Sequence, residues 1–65
     1  MKKYIERMKT EEAELNGRII RAEKAIENPP FDSDKYGIEL LKKQVRVMRV
    51  YQEILQQRIK YEVGK

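Results

Sequence analysis

The chain has 65 residues, 40% of them charged, with no cysteine, no histidine and a net charge of +4. This excludes a disulfide framework and a zinc site of histidine or cysteine ligands, and a chain so short buries only about 60% of its unfolded surface, so association with other chains is the expected support. The charge excess falls short of the basic stripe of a dedicated duplex-DNA binder, and no apolar run approaches the roughly 20 residues that span a bilayer.

The opening MKKYIERMKTEE lacks the apolar stretch of a signal peptide, which predicts a cytoplasmic protein. Met1, Ile5, Met8, Leu15, Ile19, Ala22 and Ile26 recur in alternating four- and three-residue steps, the heptad seam of a helix over about residues 2–28. One beat is missed, at Glu12. That residue is expected either at the rim of the seam or as a polar group at a subunit contact. Gly17, in the helix interior, costs about 1 kcal/mol and is either tolerated or marks the close approach of another backbone.

Pro29 and Pro30 must stop this helix, because each disfavours the helical conformation in the residue before it. The segment NPPFDSDKYG is the one loop, with its turn at residues 29–33. Asp32 is the expected cap of a second helix over about residues 33–62, with Phe31 and Tyr36 at the positions of a hydrophobic staple and Asp34 near the positive helix end. Two long helices on a tight connection become antiparallel neighbours, so residues 1–65 form a single all-α hairpin domain.

At 100° per residue the second helix carries two apolar stripes. Ile38, Leu41, Val45, Met48, Leu55 and Ile59 form one, broken at Gln52, and this stripe can meet the first helix. Leu40, Val47, Tyr51, Ile54 and Tyr61 form another, with Val50 beside it. A hairpin covers only one of them, which predicts a homo-oligomeric helical bundle with the second stripe as its interface. Gln44, Gln52 and Arg58 lie within the apolar arc, and at least one is expected to bond across subunits. Lys42, Lys43, Arg46 and Arg49 share the remaining sector, where four basic residues are commonly a solvated face rather than a nucleic-acid site.

Catalytic constellations are missing: there is no glycine-rich phosphate loop, and the single serine, Ser33, has an ordinary place in the capping turn. Glu11 and Glu14 lie on a solvated face with no pocket implied. The expectation is a binding protein, not an enzyme, with no metal and no cofactor. Tyr4, Arg7, Glu11, Arg18 and Arg21 fall along one flank of the first helix, beside its seam. An aromatic ring with guanidinium groups suits a nucleotide, the ring stacking on a base and arginine taking phosphate in a forked geometry. The simpler account makes Tyr4 an edge of the core and pairs the arginines with Glu11, Glu14 and Glu23 along the helix. From the residues alone the simpler account is favoured.

The pattern Y-I-E-R-M-K-x-E-x-x-E-L-x-x-R-I over residues 4–19, a turn, and L-L-x-x-Q-x-x-x-M-x-x-Y-x-x-I-L-x-x-R-I over residues 40–59 resemble a family of very small phage proteins. That family is named after an open reading frame of a crAss-like phage and is similar to the phage anti-CBASS sponges; Gln44, Met48, Tyr51 and Arg58 are the most distinctive letters. The resemblance implies a helical hairpin assembling into a compact oligomer, a hexamer. It also implies sequestration, without cleavage, of the cyclic di- or trinucleotide signals of anti-phage immunity, in the manner of anti-CBASS or anti-Thoeris proteins. Carried over residue by residue, the family's aromatic with basic residues of the same helix falls on Tyr4 with Arg18 or Arg21, or with a neighbour such as Lys24; Arg7 lies on the same flank. The alternative function is a small structural or regulatory hairpin acting through a protein partner.

Overall fold

The structure, a computed structural model, describes residues 2–65. Met1, the first position of the predicted seam, lies outside the described residues. Two helices account for nearly all of the rest, α1 over Lys3–Glu27 and α2 over Lys35–Val63, and no strand occurs among the described residues. Helix α1 ends where the prolines require, with the Asn28 amide donating to the Lys24 carbonyl at 2.9 Å immediately before Pro29.

The cap of α2 differs from the expected one. Asp34, not Asp32, precedes the first turn, and its Oδ1 accepts from the Gly37 amide at 2.6 Å. A β-carbon on Gly37 would lie 3.0 Å from that oxygen, so the glycine leaves room for the cap. Helix α2 therefore starts at Lys35 rather than near Ser33, and the staple positions shift with it. Phe31 and Tyr36 do not form one, since Phe31 is fully exposed and Tyr36 is 71% exposed. The turn closes instead through the Ser33 amide donating to the Pro30 carbonyl at 3.0 Å.

The helices pack antiparallel, Tyr4 near the start of α1 reaching Glu62 near the end of α2. Their seams meet as the heptads predict. Leu15 and Ile19 of α1 bury against Val45 and Leu55 of α2, with Ala22, Ile26 and Met48 packed on them, and Ile5 and Met8 extend the buried row towards the termini. Among the described residues six buried apolar side chains make a thin core, and of these Leu55 is completely enclosed. The molecule is correspondingly rod-like, 48 × 15 × 14 Å. Its radius of gyration is 14.9 Å, against about 11 Å for a compact domain of this length. Its accessible surface of 5361 Å² exceeds the roughly 4,400 Å² expected of a globular monomer of its mass.

Candidate functional site

Two rims flank the seam, one on each side. One is lined by polar groups that fasten the helices: Gln52 Nε2 donates to Glu12 Oε1 at 3.2 Å and to Asn16 Oδ1 at 2.9 Å, Gln56 Nε2 donates to Glu12 Oε1 at 3.0 Å, and Arg49 pairs with Glu23. Glu12 is thus a rim residue of the intramolecular seam, and Gln52, a candidate for a bond across subunits, spends its amide within the hairpin. A groove at the terminal end, lined by Lys9, Glu12, Gln56, Ile59, Lys60 and Val63, opens beside this rim.

The other rim holds the aromatic residues. The Tyr4 hydroxyl donates to Glu62 Oε2 at 2.6 Å, and the Tyr51 hydroxyl donates to Glu11. Each pair crosses from one helix to the other, with tyrosine on α1 in the first and on α2 in the second. The bonds hold both hydroxyls above the ordinary tyrosine value of 10.0, because a proton shared with a carboxylate resists removal. At Tyr51 the positive charges of Arg58 and Arg18 work against that rise, which places both guanidinium groups within electrostatic reach of the ring. At Tyr4 the opposing charge is that of Lys65, and the Lys2 ammonium lies 5.7 Å from the ring centre.

The predicted binding residues separate into two positions. Tyr4, Arg7 and Arg18 share the flank of α1 that faces this rim, at heptad-related spacings from Glu11. Arg21 leans elsewhere: a β-carbon on Gly17 would meet Arg21 Nη1 at 3.3 Å, so its guanidinium lies back over that glycine, on the outer side of α1. No backbone of α2 approaches Gly17 within 4 Å, consistent with a glycine that the helix tolerates. Two of the three carboxylates offered to the arginines by the simpler account are engaged elsewhere, Glu11 by Tyr51 and Glu23 by Arg49. Among the described residues no ion pair involves Arg7, Arg18 or Arg21.

The second stripe of α2 borders the same rim through Tyr51 and is uncovered, with Leu40 at 46%, Val47 at 69%, Ile54 at 48% and Tyr61 at 66% exposure. Cationic flank and apolar stripe therefore form one continuous side of the hairpin, which the two tyrosine–glutamate bonds cross, while the opposite rim carries the amide bonds and the Arg49–Glu23 pair. Sequence reasoning missed Glu62 and Glu11 as the partners of the tyrosines, and Arg58 as a neighbour of Tyr51. The signal was available in the antiparallel register, which sets the start of α1 against the end of α2.

No helix among the described residues is both long and apolar enough to cross a membrane, and no cluster of acidic side chains there could hold a metal ion. What fold and rim define is a small antiparallel two-helix hairpin, bonded across both rims, with one side presenting aromatic, cationic and apolar groups together. The chain belongs to the Sequestin family, whose model matches residues 2–61. The family's name denotes sequestration. No curated protein and no solved structure matches the chain.

Proposed function

We propose that the protein sequesters cyclic oligonucleotide immune signals, binding them intact between subunits of a homo-oligomer in the cytoplasm of an infected bacterial cell. The observation that carries this reading is the shared side of the hairpin, where Tyr4, Arg7 and Arg18 border the uncovered stripe of Leu40, Val47, Tyr51, Ile54 and Tyr61. Membership of the Sequestin family supports it. Burying the stripe against another copy brings the cationic flank to the edge of a subunit contact. A symmetric contact then presents the same ring and the same guanidinium twice, which matches a ligand with repeated bases and phosphates. Resemblance to the anti-CBASS sponges supports a hexamer as the assembled form.

In this reading Tyr4 supplies a stacking face, while Arg7 and Arg18 supply phosphate contacts. Arg21 joins them only if it swings off Gly17. Release of the ligand unchanged is part of the proposal, because sequestration needs no bond to be broken. The test is a thermal-shift and calorimetric screen of the purified protein against cyclic di- and trinucleotides and cyclic ADP-ribose. Micromolar or tighter uptake of one of them is expected, with the ligand recovered at unchanged mass after heat denaturation. Uptake of none would overturn the reading and favour a hairpin that acts on a protein partner through its apolar stripe.

A further inference from the structure

We propose that two copies of the hairpin pair antiparallel along the uncovered stripe of α2, about a two-fold axis near Val50 and Tyr51, with the acidic turn of each copy seated on the basic helix ends of the other. This rests on the homo-oligomer of the sequestration reading and gives that oligomer its building block.

The stripe sets the axis. Leu40, Val47, Ile54 and Tyr61 follow one another at seven-residue steps on α2, a row that stays on one side of a helix, and all four are exposed. The midpoint of that row falls between Val50 and Tyr51, close to the middle of α2. A two-fold axis there sets Leu40 of one copy beside Tyr61 of the other, and Val47 beside Ile54, so every member of the row meets another apolar side chain. Because the row is centred on the helix, the two 48 Å rods overlap over nearly their whole length. The turn of each copy then lies against the helix ends of the other.

Charge sets the direction. The turn end is acidic: residues 25–34 hold Glu27, Asp32 and Asp34 and no lysine or arginine. At the other end stand Lys2, Lys3, Lys60 and Lys65 with one carboxylate, Glu62, which already accepts from Tyr4 and pairs with Lys65. A parallel pair sets acid on acid and lysine on lysine, whereas an antiparallel pair joins unlike ends at both extremities at once. End-to-end stacking also joins unlike ends, but it leaves the stripe in water and does not close. Shape agrees with charge. Phe31 stands fully exposed in the acidic turn, and a hollow of about 420 Å³ lined by Lys2, Ile5, Glu62, Val63 and Lys65 lies at the helix ends. Ile5 and Val63 offer that ring apolar surface, and the ammonium groups beside them suit both its face and the Asp32 carboxylate.

The chain has no cysteine, so introduced thiols report which positions meet. Leu40→Cys and Tyr61→Cys proteins, refolded together and mildly oxidised, should give the disulfide between positions 40 and 61 as the main cross-link, with little dimer from either variant alone. Cross-links of each variant to itself, or none in the mixture, would overturn the antiparallel pair. The seat of the turn is tested by Phe31→Ala and Asp32→Lys, both at exposed positions outside the capping bond, so helicity should stay intact. Each should weaken association about tenfold in sedimentation equilibrium, as loss of an interface anchor does, and the Asp32→Lys effect should shrink at high salt. Unchanged association in either variant would overturn the seating of the turn. Failure of these outcomes while cyclic nucleotides are still taken up would remove only the pairing. A wild-type chain that stays monomeric at every concentration overturns the pairing and the reading of a site between subunits together.

Discussion

Gln52 donates to Glu12 at 3.2 Å, and these two residues occupy the one missed beat in each apolar seam. The polar interruptions of α1 and α2 thus face each other, and Asn16 and Gln56 complete the arrangement. Such a pair is satisfied only in one register, as a lone polar residue is in a coiled coil. Leucine at both positions completes both seams and removes donor and acceptor together, and the Asn16 and Gln56 amides that lose a partner are exposed and can turn to water, so the change should be neutral or stabilising. Glu12→Leu combined with Gln52→Leu should raise Tm, by the equivalent of about 1–3 kcal/mol for the added apolar burial, in circular-dichroism melts. Glu12→Leu alone should do less, since it takes the acceptor from Gln56, leaves Gln52 only Asn16, and keeps the polar amide of Gln52 in the seam of α2. A double variant that melts below both single variants would show that the polar pair stabilises rather than aligns the hairpin.

The heptad rhythm, the proline stop and the two-stripe second helix made the hairpin legible in the sequence, because each depends on spacing within one helix. What was not legible depended on spacing between helices. Glu11 and Glu62 look like solvated carboxylates until the register sets them against Tyr51 and Tyr4. The cap shows the same limit on a smaller scale: Asp32 and Asp34 both fit a capping role, and the turn from Pro30 to Ser33 selects the second.

The choice of cap gives a paired test. Removing a capping side chain costs about 1 kcal/mol, within a range of roughly 0.5–2 kcal/mol. Asp34→Ala should lower stability by that amount in urea titration, while Asp32→Ala, whose side chain forms no capping bond among the described residues, should stay within about 0.5 kcal/mol of wild type. Equal losses in the two variants would mean that the turn, not the cap, is what aspartate supports.

Proton linkage follows from Tyr4 and Glu62. The Glu62 carboxyl is held below its ordinary value of 4.5, first by the hydrogen bond from Tyr4 and then by the charges of Lys65 and Lys2, with partial desolvation pulling the other way. A depressed folded value means that this contribution is present above the unfolded value and disappears as pH falls through the folded one. Tyr4, raised above 10.0, has the opposite sense: its contribution is present below the unfolded value and lost as pH rises through the folded one. Tyr4→Phe should shift the Glu62 carboxyl titration upward in carbon-detected NMR, though not the whole way, because Lys65 remains. An unmoved midpoint would mean that the lysines alone set the shift.

Assembly is tested most directly on the uncovered stripe. Val47 is 69% exposed and Ile54 48% exposed in the isolated hairpin, so aspartate at either place meets water and should cost the single chain little. In an oligomer that buries the stripe, the same carboxylate enters an apolar contact without a partner, which is strongly unfavourable. Val47→Asp combined with Ile54→Asp should therefore reduce the mass seen by light scattering to that of a smaller species. Wild-type Tm should also rise with protein concentration, as linkage to association requires, and that dependence should vanish in the variant. Leu55→Ala separates assembly from folding: Leu55 is 0% exposed within the hairpin itself, and its truncation costs about 2–5 kcal/mol, so helicity should fall with it. If Val47→Asp combined with Ile54→Asp keeps the wild-type mass and the wild-type concentration dependence, the stripe is not the subunit contact, and the chain must associate through its fastened rim or outer faces instead.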